Sequence, residues 1–442
     1  MSTAATLGRI DRAAVRGRAV AVLEENWAGS HTLPATGLYP HQWSWDSGFI
    51  AMGLAHVSPR RAQQELDSLF AGQWADGRIP QIVFDPNRDR DYSPGASFWR
   101  SERIAAAPRG VPTAGLVQPP NHAWAVWRVH LADPAESHRR SFLERAYPRL
   151  VAWHEYLRTR RGRGGSGLAA IVHPWESGTD NSPLWDEALA RVPATTLAVV
   201  DRPDLRHADA SERPSQRDYG RYYHLAERYR DHACDDLDEG YPFLVEDPGF
   251  AALLLLSELA LARIAAVLGR DDRPHLERAD GLRTALDGLW DEELGCFVAR
   301  DVRTGALIRK ATVNGLLPLL VPGLPQADRL VGTLLGPRFL GSGAALVPSY
   351  DATAPDMDPR LYWRGPGWFN MSWMAVLGLQ QAGAVDAADR LAEAVLRLAV
   401  EHDFPEYVDP WTSEAHGTRR FSWTAALAFA LVADPRHRLL DA

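Results

Sequence analysis

Lysine is almost missing: Lys310 is the one lysine among 48 basic residues, and the net charge is −8. The arginines are scattered among acids. Their densest run, Arg158 to Arg163, enters the glycine-rich turn Arg161-Gly-Arg-Gly-Gly-Ser-Gly167, which reads as solvated loop and not as a nucleic-acid groove. Cysteine is scarce too. Cys234 and Cys296 stand far apart without metal-ligand spacing, which excludes a disulfide framework. Asp85-x-Asn87-x-Asp89-x-Asp91 opens like a calcium loop. Arg90 occupies the position that needs glycine and Ala96 the one that needs a bidentate acid, so neither metal nor cofactor is expected. No apolar leader precedes residue 12, because Arg9, Asp11 and Arg12 interrupt it; a cytoplasmic setting is expected. The longest apolar run, 250–268, carries Glu258 and Arg263 and reads as a buried helix, not a membrane span. Strand blocks at the spacing of an α/β sheet are absent, and so are repeats of fixed period.

What the chain has is helices. Apolar spacing and capping signals predict them over 12–25, 46–56, 59–74, 121–131, 137–160, 219–234, 245–268, 274–290, 312–320, 326–335, 368–382, 384–402 and 422–432. A short extended piece is expected at 168–172, and 183–242 reads as an excursion from the main architecture. Short turns between neighbours favour antiparallel hairpins. About twelve main helices in hairpins form either an (α/α)6 barrel, a six-hairpin toroid, or an open solenoid. Chain length allows more than one domain, yet nothing divides 1–442, so one catalytic domain is expected.

Tryptophan is plentiful at 16 residues, and its placement is informative. Trp124, Trp127, Trp153 and Trp290 sit at helical core positions. Trp43, Trp45, Trp175, Trp185, Trp363, Trp368, Trp411 and Trp423 lie beside acids, arginine, glutamine or glycine, where indoles wall a ligand pocket. The densest such stretch, His173-Pro-Trp-Glu-Ser-Gly-Thr-Asp-Asn-Ser-Pro-Leu-Trp-Asp186, sets the carboxylates of Glu176, Asp180 and Asp186 between two indoles. Indoles cover the apolar face of a pyranose, and carboxyl groups take its hydroxyls or move protons. Glycoside hydrolysis needs two carboxyl groups on opposite sides of the bond, and Asp46, Glu176, Asp180 and Glu406 are the candidates. The clusters favour the barrel over the solenoid, because inner helix ends converge there on one pocket.

Pro40-His-Gln-Trp-Ser-Trp-Asp46, Trp175-Glu-Ser-Gly-Thr-Asp-Asn-Ser-Pro183, Tyr362-Trp-Arg-Gly-Pro-Gly-Trp368 and Phe404-Pro-Glu-Tyr407, in this order, resemble glycoside hydrolase family 63. The likeness is greatest to its short bacterial mannosylglycerate and glucosylglycerate hydrolases; family 37 trehalases are more distant. The resemblance implies an (α/α)6 barrel with an inserted cap, placed here over 162–244, and an inverting mechanism. It assigns the general acid to Asp180 and the general base to Glu406, with their carboxyls about 6.5–9.5 Å apart to admit a water. Glu176 and Asp186 become supports. The same resemblance lines the sugar subsite with Trp43, Trp45 and Asp46, joined by Tyr39, Tyr92, Gln118, Trp175, Tyr362, Trp363 and Trp368. Ser211-Glu-Arg-Pro-Ser-Gln-Arg-Asp-Tyr-Gly-Arg-Tyr222 resembles the segment that holds a glycerate carboxylate, a role that falls on Arg213 and Tyr219.

Two departures bear on the leaving group. The relatives' Gln-Gln before the final Ser-Trp is Arg420-Phe421 here, and their Ile-Pro-His is Ile79-Pro80-Gln81. The implied substrate is 2-O-α-glucosylglycerate or mannosylglycerate. A neutral α-glucoside such as trehalose, and a non-catalytic sugar-binding protein, remain open alternatives. The expected partner is a small sugar, with neither nucleic acid nor membrane; a homo-oligomer is compatible with the sequence.

Overall fold

The computed structural model describes residues 11–195, 202, 205, 209–434 and 439–440. Part of the expected 162–244 segment therefore lies outside the described residues. The α-helices are α1 (Arg12–Glu25), α2 (Ser44–Leu54), α3 (Pro59–Ala71), α4 (Ala96–Trp99), α5 (His122–Ala132), α6 (Pro134–Arg139), α7 (Phe142–Arg160) and α8 (Asp186–Ala190). They continue with α9 (Gln216–Asp231), α10 (Pro248–Val267), α11 (Arg273–Asp287), α12 (Ala327–Leu334), α13 (Phe369–Gln381), α14 (Val385–Glu401) and α15 (Ser422–Ala433). The starts follow local chemistry. Asp11 accepts from the amides of Ala13 and Ala14, Ser58 from that of Arg61, and Asp247 from that of Gly249, so orphan donors are satisfied. Pro59 and Pro248 occupy first-turn positions, where a missing N–H costs nothing.

Two kinds of helix can be told apart by burial. Every residue of α2, of the 3-10 helix Val313–Leu320 and of α13 up to Leu379 is buried, as is nearly all of α10 and α15. A helix apolar all round has to be surrounded by protein. Those helices and α5 are neighbours in succession: α2 packs on α5, α5 on α10, α10 on Val313–Leu320, that segment on α13, α13 on α15, and α15 on α2 again. Each also has an amphipathic partner, namely α3 on α2, α7 on α5 and α10, α11 on α10, α12 on Val313–Leu320, α14 on α13 and α1 on α15. In α14 the buried side chains are Ala387, Ala388, Leu391, Val395, Leu396, Leu398 and Ala399, one stripe at helical spacing. α10 is the one described helix long and apolar enough to cross a membrane, and it is packed inside the chain against α5, α7, α11 and Val313–Leu320.

Strands are two or three residues long. Gln42–Trp43 pairs with Ile82–Val83. Tyr407–Val408 pairs with both Gly367–Trp368 and Ala415–His416. Ala170–Ile171, inside the expected extended piece, begins a four-stranded sheet with Val245–Glu246, Ala299–Asp301 and Leu307–Ile308.

The structure corrects several sequence expectations. The helix over 137–160 is two helices, because Ser141 adopts φ 48° between α6 and α7. The 312–320 stretch is 3-10 and contains Pro318, which has no N–H for an α ladder. Trp290 is on a strand facing Phe297, not on a helix. The acids that imitate a calcium loop serve the chain locally: Asp85 accepts from the Asn87 amide, Asp89 from the Ser97 amide, and Asp91 pairs with Arg88.

Candidate active site

Stretches far apart in sequence deliver side chains to one cavity of about 910 Å³, mouth included. Tyr39, Trp43, Trp45 and Asp46 come from the loop before α2 and its first turn. Tyr92 and Gln118 come from irregular chain before α5. Trp175 and Asp180 lie on the acid loop, and Arg213 and Tyr219 at the entry to α9. Tyr362, Trp363 and Trp368 precede α13, while Glu406 follows α14. All the catalytic and substrate-binding residues that the family resemblance assigned thus line the same space. Trp423, one of the indoles expected in a pocket wall, lines it as well, as do Gln81 and Phe421, noted as departures at the leaving-group side. Sequence reasoning missed Pro34, Leu38, Ser93 and Gly178, small or apolar residues that flank the motifs and carry no chemical signal. Trp185 and Trp411 are not in the wall. Trp185 donates its indole N–H to the Thr179 carbonyl at 2.8 Å, and Trp411 donates to the Ser342 carbonyl at 3.3 Å. They staple loops.

Helix starts fix part of the cavity lining. α2 has no capping side chain of its own; instead Gln118 accepts from the Trp45 amide at 3.0 Å, and Asn121 donates to the Trp45 carbonyl at 3.0 Å. That fixes Trp45 and the adjacent Asp46. Elsewhere in the lining Trp363 and Trp368 stack at 3.8 Å with 4° between planes, and Trp368 lies on Tyr407 at 4.6 Å. Tyr362 is held at φ 39°, where its carbonyl accepts from the Trp368 indole at 2.9 Å. A non-glycine residue in that region costs of order 1–3 kcal/mol, so the surrounding contacts must impose it.

The acid loop is anchored along its length. His173 Nδ1 accepts from the Trp175 amide and its Nε2 donates to the Tyr222 carbonyl. Glu176 is fully buried: Arg161 forks onto it at 2.6 and 2.7 Å, and the amides of Val117 and Val172 donate to it at 3.1 and 2.8 Å. It has no access to substrate; it ties three chain segments together. Asp186 pairs with Arg364 at 2.7 Å on the outside. Asn181 accepts from the Trp363 amide, and Asn314 donates to Thr179. Gly178 sits at φ 72° with its missing side chain facing the Trp45 ring, 3.1 Å from where a Cβ would stand. Of the loop's carboxyls, Asp180 is left facing the cavity, its backbone carbonyl held by the Tyr222 hydroxyl at 3.1 Å.

Glu406 is buried. Tyr39 donates to its Oε1 at 2.8 Å, the Thr418 amide donates to its Oε2 at 3.2 Å, and Arg213 Nη2 stands 3.8 Å from Oε2. Burial raises the Glu406 carboxyl above its ordinary value; Arg213 and the Tyr39 hydrogen bond oppose that. Burial also pushes Asp180 up to about 7, with Arg213 pulling down and Glu406 adding to the rise. Asp46 is held well above the usual carboxylate range, again by burial first, then by Glu406, Glu65 and Asp180. The guanidinium of Arg213 lies 4.6 Å over the Tyr362 ring.

One carboxyl group that keeps its proton near neutrality, and another that accepts two hydrogen bonds beside a guanidinium, suit the cleavage of an acetal, where one group gives a proton and the other draws one from water. With indoles for walls, that chemistry is directed at sugars, and the site is that of a glycoside hydrolase. Residues 39–424 match the family model described as "Mannosylglycerate hydrolase MGH1-like glycoside hydrolase domain", and the chain belongs to this family. It is 42% identical over 424 residues to the mannosylglycerate hydrolase of Rubrobacter radiotolerans, covering 93% of this chain and 95% of that one. It is 38% identical over 437 residues to the glucosylglycerate hydrolase of Mycolicibacterium hassiacum, covering 92% and 95%. The crystal structure of the GH63 mannosylglycerate hydrolase from Thermus thermophilus in complex with Tris and D-glycerate superposes with a TM-score of 0.87. That pair shares 39% identity over 94% of this chain and 99% of that one. Neutral trehalase Nth1 from Saccharomyces cerevisiae, at 17% identity and a TM-score of 0.56, covering 91% and 73%, shares the fold alone.

Proposed function

We propose that this enzyme is an inverting hydrolase of a 2-O-α-hexosyl-glycerate, releasing glucose or mannose together with glycerate. The reading takes the cyclic succession of buried helices as the inner ring of an (α/α)6 barrel. The partnered amphipathic helices form its outer ring, and the described part of 162–244 forms a cap over the mouth. Asp180, protonated, gives its proton to the glycosidic oxygen as the bond to C1 breaks. Glu406, ionised, takes a proton from a water that attacks C1 from the other face, and the configuration inverts. Asp46 accepts from sugar hydroxyls, with Trp45 and the stacked Trp363 and Trp368 as apolar walls.

Arg213 carries the choice of leaving group. It is 4% exposed, and among the described residues its Nε and Nη2 have no hydrogen-bond partner. With Glu406 at 3.8 Å and two hydrogen-bond donors still unfilled beside a cavity, this buried guanidinium has capacity for a further anion, and a carboxylate fits its planar fork. Tyr219 lines the same cavity. The similarity to a mannosylglycerate hydrolase and a glucosylglycerate hydrolase supports an anionic substrate. Replacing Arg213 with Ala is expected to raise KM for glucosyl- and mannosyl-glycerate by about 10- to 100-fold, the worth of charge-assisted hydrogen bonds. Steady-state kinetics on both glycosides and on trehalose check it. Equal losses on trehalose would take the leaving-group role away from Arg213, and an enzyme indifferent to Arg213→Ala would favour a neutral α-glucoside.

A further inference from the structure

One side chain beside Arg213 has no part in the chemistry so far. Glu212 is 8% exposed, and its Oε1 accepts from His416 Nδ1 at 2.9 Å although the two residues are 204 positions apart. Its Oε2 faces the Gly417 amide at 3.5 Å, and Arg360 stands 3.9 Å away. The next amide of that turn, Thr418 N–H, is the one that donates to Glu406. The Glu406 amide in return donates to the Thr418 carbonyl at 2.8 Å. His416 is itself fixed by strand pairing to Tyr407, with the two rings stacked at 6.1 Å. One turn therefore presents donors to two carboxylates, Glu212 on one side and Glu406 on the other.

Gly417 makes the arrangement possible. It sits at φ 66°, and a Cβ there would stand 2.3 Å from Glu406 Oε2. The loop closes through Arg213, whose Nη2 is 3.8 Å from the same oxygen.

We propose that Glu212 and His416 are positioning residues: they lock the segment carrying Arg213 onto the turn that holds Glu406, so that the leaving-group arginine and the base are brought into register together. This rests on the roles given to Arg213 and Glu406 above. The base is then fully assembled when residues 210–215 are docked on residues 416–418. Substrate binding and water activation share one support. The charge of Glu212 has a second effect, since together with burial it raises the Glu406 carboxyl, against Arg213 and the Tyr39 and Thr418 donors.

The test compares Glu212→Ala and Glu212→Gln with wild type on the hexosyl-glycerates, reading kcat, KM and their pH profiles, with circular-dichroism melts as the folding control. Glu212→Ala is expected to lower kcat by about 100-fold, as a displaced reacting group does, and to raise KM as well. Glu212→Gln keeps the shape and one acceptor, so it retains kcat within about threefold while the acidic limb of its kcat/KM profile moves to lower pH. A purely structural residue would not move that limb. Amide hydrogen exchange supplies an arm independent of activity: residues 210–218 and 404–420 exchange faster in Glu212→Ala. Unchanged exchange, or wild-type kcat, KM and pH profile in Glu212→Ala, overturns the proposal. A wild-type enzyme inert on both glycosides sinks the functional reading, and the exchange arm then decides this one.

Discussion

Glu406→Gln lowers kcat by about 10²- to 10⁴-fold, the usual contribution of a positioned general base, and leaves KM near its wild-type value. The reason is local. Tyr39, the Thr418 amide and Arg213 all approach this one carboxylate, and an amide of the same shape fits between them. What it cannot do is take a proton from water. Because burial raises the Glu406 carboxyl, the wild-type acidic limb of kcat/KM lies above the range of an ordinary glutamate. The base must be ionised, so activity is lost as pH falls through that limb. Steady-state rates across pH check both parts. An enzyme that keeps near wild-type kcat as Glu406→Gln would take the base away from this position.

Asp180→Asn behaves differently, because its cost depends on the leaving group. With glycerate leaving, kcat falls by about 10²- to 10⁴-fold. With fluoride leaving from the corresponding hexosyl fluoride, which departs without a proton, the loss is small. Asp180 is pushed up to about 7, so the acid is protonated below that pH and activity declines as pH rises through it. The Asn variant loses this basic limb. The main cause of the shift is burial: the carboxyl lines an indole-rich cavity, and its charged form is poorly solvated there. Equal losses on glycerate and fluoride substrates, or a wild-type profile flat across neutral pH, would show that Asp180 is not the proton donor.

Much of the site could be read in advance because its motifs are dense in chemistry. Acids, indoles and glycines side by side have few reasons to occur together, and the stretches around Trp45, Asp180, Trp368 and Glu406 meet in one cavity. Where the reading failed, local composition did not distinguish a pocket wall from a staple. Trp185 and Trp411 have the same polar neighbours as Trp175, yet their indoles are tied to backbone carbonyls. Helix existence followed from apolar spacing, but Ser141 breaks 137–160 with no glycine or proline to announce it. Composition alone does not separate Glu176 from Asp180; the family resemblance makes Glu176 a support, and the Arg161 fork onto it is the physical form of that support. Its partner comes from the end of α7, and no sequence period links the two. The Glu212–His416 contact was invisible for the same reason.

The central claim is that water, activated by Glu406, attacks C1 opposite to the departing glycerate. Proton NMR of the first-formed sugar tests it most directly, read before mutarotation equalises the anomers. From an α-hexosyl-glycerate this account predicts the β-hexose as the first product. The α-hexose appearing first would contradict it, and with it the assignment of Asp180 and Glu406 to opposite faces of the bond.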